Sequence, residues 1–246
     1  MTKKRSSKTE LPEHITAAIR EAWPDSVLDM PANMDEAPFW DVYAELKASL
    51  SRIPEIAAVY EREPHGGPRW SEASDPQQDP PDWNDESRSY HLFFLPLQDD
   101  RFRYETDILE PDDAGVEQRF QGEGTIGCAV GISLVAPFAI VTLDQMEAFE
   151  NGSRSEPDIE PHIFDLDGQK VDLEEHYREM VDEEGLTVLR KLRTEIVRVL
   201  NDFQIAVLAD EDLDKPVPWL RPGKEVFLGD AGEPITVRDA FFCHGL

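Results

Sequence analysis

Asp172 stands four residues before His176, and Glu179 three after it, with Glu175 between. On a helix such spacings bring side chains to one side, where carboxylates and an imidazole offer oxygen and nitrogen donors to a cation. No second histidine or carboxylate completes a zinc interval, so a solvated acidic helix start accounts for the group. Gly122-Glu123-Gly124-Thr125-Ile126-Gly127 spells the glycine pattern of a dinucleotide-binding loop. That chemistry needs a strand before and a helix after, so that the helix N-terminus meets the pyrophosphate. Here a strand-like run follows, and turn and bulge glycines are expected. A third grouping sets Asp210, Glu211, Asp212 and Asp214 just before Pro216, Pro218 and Trp219. Carboxylates beside an aromatic suit the docking of a basic protein, because charge steers the encounter and a buried ring supplies affinity. Asp210, Glu211, Asp212, Asp214 and Trp219 are therefore the expected partner-binding residues. No serine or cysteine sits in a nucleophile elbow, and no glycine-rich loop ends in Gly-Lys-Ser or Gly-Lys-Thr.

Phe164-Asp165-Leu166-Asp167-Gly168 places two carboxylates two positions apart behind an apolar residue. In this it resembles the first motif of the haloacid-dehalogenase-like phosphatases. The resemblance implies Asp165 as phosphoryl nucleophile and Asp167 as acid/base on a Mg²⁺ site within a parallel sheet, with Gly229-Asp230 in place of the later metal-binding motif. Gln169 stands where that family usually has a threonine, and the interval to Asp230 holds one strong helix and few strand signals. The same five residues also read as a hairpin. Asp167-Gly168 as a two-residue turn sets Phe164 opposite Val171 and Asp165 opposite Lys170, with complementary charge. The hairpin is the preferred reading, with no catalytic residue, cofactor or metal assigned; a divalent-metal phosphohydrolase using Asp165 and Asp167 is the alternative.

The elements that must position these groups follow from apolar spacing. Ile15, Ala18, Ile19, Ala22 and Trp23 form one helical stripe, and Phe39, Tyr43, Leu46, Leu50 and Ile53 a second. Asn33 or Asp35 is expected to cap the second helix and Pro54 to end it, with a further turn at Ile56 to Tyr60. From Ser89 the period becomes two. Tyr90 to Leu97 reads as a central strand in a hairpin with 102 to 108, turning at Gln98-Asp99-Asp100, whose second strand has a wet face of Arg101, Arg103, Glu105 and Asp107; Thr125 to Leu143 reads as a second hairpin. In the latter, Ile126, Cys128, Val130, Ile132 and Leu134 face one way, and the small Gly127, Ala129, Gly131 and Ser133 the other, implying close approach by another element, most simply a helix. A long helix is expected near 183-205, and a terminal one from a capping-box-like start at Thr236-Val237-Arg238-Asp239 to a stop at Gly245. The fold class is thus α+β: a mainly antiparallel sheet built from sequential hairpins, with the N-terminal helices and the long helix covering one face. Residues 1-10 read as a basic tail, 11-61 as a helical segment, 62-88 as a Pro/Gly-rich loop or linker containing Trp70 and Trp83, and 89-246 as the body.

Composition bounds the function. The chain has 246 residues, 40% hydrophobic, with 52 acidic against 24 basic residues and a net charge of −28. Such a field repels nucleic acid and anionic membranes and attracts cations and basic protein surfaces. No apolar run reaches the roughly 20 residues of a spanning helix, and Met1 to Glu10 lacks the apolar stretch of a secretory signal. Two cysteines in so long a chain suit a reducing cytoplasm. The expected function is that of an acidic cytoplasmic binding protein, immunity-like or accessory, engaging a basic protein partner. A small-molecule sensor with a cavity against Gly127 to Ser133 is a second alternative.

Overall fold

The computed structural model describes residues 10–29, 31, 36–62, 88–111, 117–150, 152, 154–155, 157–159, 162–164, 170–172, 176–178, 180–224, 226–227 and 234–245. In chain order the elements are α1 (Glu13–Ala22), β1 (Val27–Leu28), α2 (Phe39–Leu50), β2 (Tyr60–Arg62), β3 (Tyr90–Pro96), β4 (Arg103–Pro111), β5 (Glu117–Ser133) and β6 (Phe138–Phe149). There follow β7 (His162–Phe164), β8 (Lys170–Asp172), α3 (Glu183–Asp202), β9 (Ala206–Val207), α4 (Asp210–Leu213), β10 (Arg221–Pro222), β11 (Val226–Phe227), α5 (Val237–Phe241) and β12 (His244–Gly245). The fold is α+β, with a mostly antiparallel main sheet in the order β2-β3-β5-β6-β9 and β4 paired to β5. Only β9 joins it in parallel. No described helix is long and apolar enough to cross a membrane.

The alternation along β5 sorts its side chains onto two cores. Ile126, Cys128, Val130, Ile132 and Leu134 pack with Leu46 and Leu50 of α2 and with Leu186, Leu189, Leu192 and Ile196 of α3. Ala129 joins Ile15 and Ile19 of α1, and Val237, Ala240 and Phe241 of α5, on the reverse side. Helices therefore cover both faces, not one. Every residue of β3 is buried, which leaves no wet face for a single covering layer. Each fully buried Leu or Ile contributes about 1.5–3 kcal/mol of transfer free energy. Ile159, in an irregular segment, fills the space over Gly131, so at that position the close approach expected of a helix is made by a single side chain.

Capping chemistry fixes the helix ends. The Asp182 carboxylate accepts from Gly185 N at 2.8 Å to start α3, which ends at Asp202 before Gln204 turns to φ 61°. Thr236 and Asp239 form the expected capping box on α5. That helix stops at Phe241, however, and His244–Gly245 pairs with β11 instead of serving as a helix stop. Pro38 holds the N-cap position of α2 without a side-chain bond; Asn33 and Asp35 lie outside the described residues.

Two expected pairings and the helical turn expected at Ile56 to Tyr60 are corrected. Residues 60–62 form edge strand β2 on β3, because pairing there satisfies backbone groups that one helical turn would leave open. β3 and β4 do not form a hairpin. Both run antiparallel to β5, β3 along Gly127–Ser133 and β4 along Glu117–Thr125, so the chain jogs at Asp99–Phe102 without reversing. The fully buried Phe102 plugs that junction. β7 and β8 pair antiparallel, but Phe164 faces Lys170, a register one residue away from the one a turn at Asp167-Gly168 demands.

Candidate functional site

β5 outruns β3, and the surplus length carries β4 and the far half of β6 as a three-stranded extension. Its inner face sets Tyr104, Ile108, Phe120 and Phe149 around Thr106 and Glu147. The Tyr104 ring lies over Gly124, where any Cβ would strike it, and the phenol donates to Glu147 Oε1 at 3.1 Å. Beyond it Phe120 and Phe149, both half-buried, meet edge to face with centroids 6.1 Å apart. They line an open groove of about 390 Å³ with Arg119, Gln121 and Glu150.

The outer face is polar and exposed. Asp107 accepts a two-pronged contact from Arg119, with Nε at 2.7 Å, and hydrogen bonding from that guanidinium holds its carboxyl below the ordinary range. Glu105 stands directly opposite Glu123, both exposed. Like charges directly opposed across an antiparallel pair add nothing to the ladder's stability, unlike the Asp107–Arg119 contact beside them. Leu109 is 61% exposed, the one large hydrophobic so placed among the described residues.

The acids expected to bind a partner lie elsewhere. Asp210, Glu211 and Asp212 are on α4 and Asp214 caps its end. Asp210 pairs with Arg193 at 3.7 Å, Asp212 with Lys215, and Asp214 with Arg238 at 3.7 Å; Glu211 is exposed. Trp219 is half-buried, with the Arg20 guanidinium 5.5 Å above its ring. Four of these five residues each meet one of the chain's own cations: Asp210 with Arg193, Asp212 with Lys215, Asp214 with Arg238 and Trp219 with Arg20.

Asp165 and Asp167 lie outside the described residues, as do Glu175, Glu179 and Asp230. The strand leading to Asp165 belongs to a two-stranded antiparallel ribbon, whereas the phosphatase motif follows a strand of a parallel sheet. Asp172 ends strand β8 and so cannot share a helical face with His176. Among the described residues no three of His, Cys, Asp or Glu are grouped to hold a metal. Gly122, Gly124 and Gly127 are interior to β5, not at turns or bulges: they face the backbones of adjacent strands and the Tyr104 ring.

Two half-buried carboxylates carry no signal in the sequence. Glu61 accepts from Tyr43 Oη and from Lys47 Nζ at 2.7 Å, with His91 Nε2 3.8 Å away. Burial opposes its charge, but His91, Lys47 and Tyr43 outweigh it and hold the carboxyl at about 2. The fully buried His91 is ringed by Phe39, Trp40, Tyr43 and Phe93 at 4.6–5.5 Å. Asp144 accepts the amides of Gln145 and Asp158, tying the 157–159 segment to β6; burial pushes its carboxyl up to about 7. Neither group carries a local motif, since Tyr43 and Lys47 of α2 and His91 of β3 reach Glu61, and the 157–159 segment reaches Asp144, from outside the turn or strand that holds each.

Comparison with protein-family models, with curated proteins and with solved structures finds no match.

Proposed function

We propose that this chain is a non-catalytic, acidic binding protein of the cytoplasm that engages a basic protein, in the manner of an immunity-like or accessory factor that neutralises or accompanies a cationic partner. The net charge of −28 supplies long-range attraction, and the observation that carries the reading is the exposed Glu105–Glu123 pair. A sheet gains no stability from opposed carboxylates, whereas a partner's Lys or Arg placed between them relieves the repulsion. Half-buried Phe120 and Phe149 at the same tip offer aromatic area of the kind that supplies most interface affinity. The strip at Asp210, Glu211, Asp212, Asp214 and Trp219 is a secondary contact, because binding there exchanges ion pairs already made. The buried thiols Cys128 and Cys243 accord with a reducing compartment.

The test begins with proteins retained from the native cell on the immobilised chain, identified by mass. The association rate of the purified partner is then measured across ionic strength, and we expect it to fall steeply as salt rises. A retained partner that is not basic, or a rate indifferent to salt, overturns the proposal.

A further inference from the structure

The geometry points to the outer edge of β4 as the docking site for a basic, extended segment of the partner, which adds to the main sheet as a further strand. β4 runs for nine residues and pairs on one side with β5; among the described residues no strand pairs with its other side. Alternate residues of an antiparallel edge turn their N–H and C=O groups away from the neighbour, so the edge presents a row of backbone donors and acceptors. The opposite margin of the sheet is treated differently. There β6 is covered by Arg154 bridging Ala148, by Ser155 N donating to Glu147 O at 2.9 Å, and by β9.

Charge decides the occupant. Self-pairing of β4 about a two-fold at Asp107 would set that carboxylate against its own copy and bring together two chains of −28 each. An incoming strand with Lys or Arg at alternate positions would instead lay its cations beside Glu105, within reach of Glu123, while Asp107 keeps its contact with Arg119. Its intervening apolar side chains would fall on the Tyr104 and Ile108 side, and the methylene stem of a lysine would cover Leu109 on the Glu105 side. The inference rests on the binding reading above and adds the mode and place of binding.

The probe is a short peptide of alternating lysine and valine, titrated into the whole chain at low salt, with amide hydrogen exchange read over residues 103–111. Comparison peptides are a lysine-to-glutamate counterpart and two versions N-methylated at every second residue, one in each phase. We expect the parent to bind and protect alternate β4 amides, the glutamate peptide not to bind, and one N-methylated phase to bind about tenfold more weakly than the other, since only one set of peptide N–H groups faces β4. The Glu105→Lys/Asp107→Lys chain should bind the parent about tenfold more weakly. Equal binding of both N-methylated phases, or protection away from β4, overturns strand addition and leaves charge capture standing. A parent peptide that fails to bind while the basic partner is captured does the same. Sedimentation showing a dimer that Asp107→Lys dissociates would assign the edge to a second copy and also overturn the inference. The peptide arms use the unaltered chain, so their outcome does not depend on a variant folding.

Discussion

Glu61 shows how far one side chain can depend on its surroundings. Its folded carboxyl titrates at about 2, against 4.5 ordinarily. A depressed value means that Glu61 contributes stability above about pH 4.5 and loses it as pH falls toward 2. Glu61→Gln removes the ion pair with Lys47 and should lower unfolding free energy at pH 7 by about 1–3 kcal/mol, measured in urea. The gap between variant and parent should narrow as the pH is lowered from 4.5; a gap of constant size would rule out an ionised Glu61. Such a group was invisible in the sequence because Tyr43, Lys47 and His91 converge on it from α2 and β3. Glu105 and Asp107 were legible as one wet face of a strand. Their opposition to Glu123 and Gln121 was not, because it depends on β4 pairing with β5 and not with β3.

At the scale of elements, what local chemistry dictates was readable. The α3 stripe from Leu186 to Leu200 and the Thr236–Asp239 box both emerge where side-chain periodicity and capping residues place them. The box makes a quantitative expectation possible. Thr236→Ala should cost about 1 kcal/mol in urea unfolding, and Thr236→Ser much less; equal losses would show that the methyl and not the hydroxyl matters. What distant chain decides was not readable. Gln98-Asp99-Asp100 has turn composition, and Asp99 does accept from Arg101 N at 3.0 Å, yet the same local bond serves a jog as well as a reversal. The length of β5 settles which occurs. Likewise Gly245 suits a helix stop, but β11, about twenty residues earlier, claims it as a strand partner.

For the molecule as a whole, the charge that favours a basic partner also strains the folded state. Self-repulsion among 28 excess negative charges is relieved by counterions, so moderate NaCl should raise the melting temperature in calorimetry, while weakening partner capture. A melting temperature that falls with salt would imply that ion pairs such as Lys191–Glu55 and Arg193–Asp210 outweigh the repulsion. The sheet also partitions the interior. Cys128 belongs to the core under α2 and α3 and Cys243 to the core under α1 and α5, and burial lifts their thiols to about 12 and 11. The chain is in effect wired with two native reporters, one per compartment: an alkylating reagent reaches either sulfur only when its own half of the protein opens, so the order of modification would reveal which half gives way first.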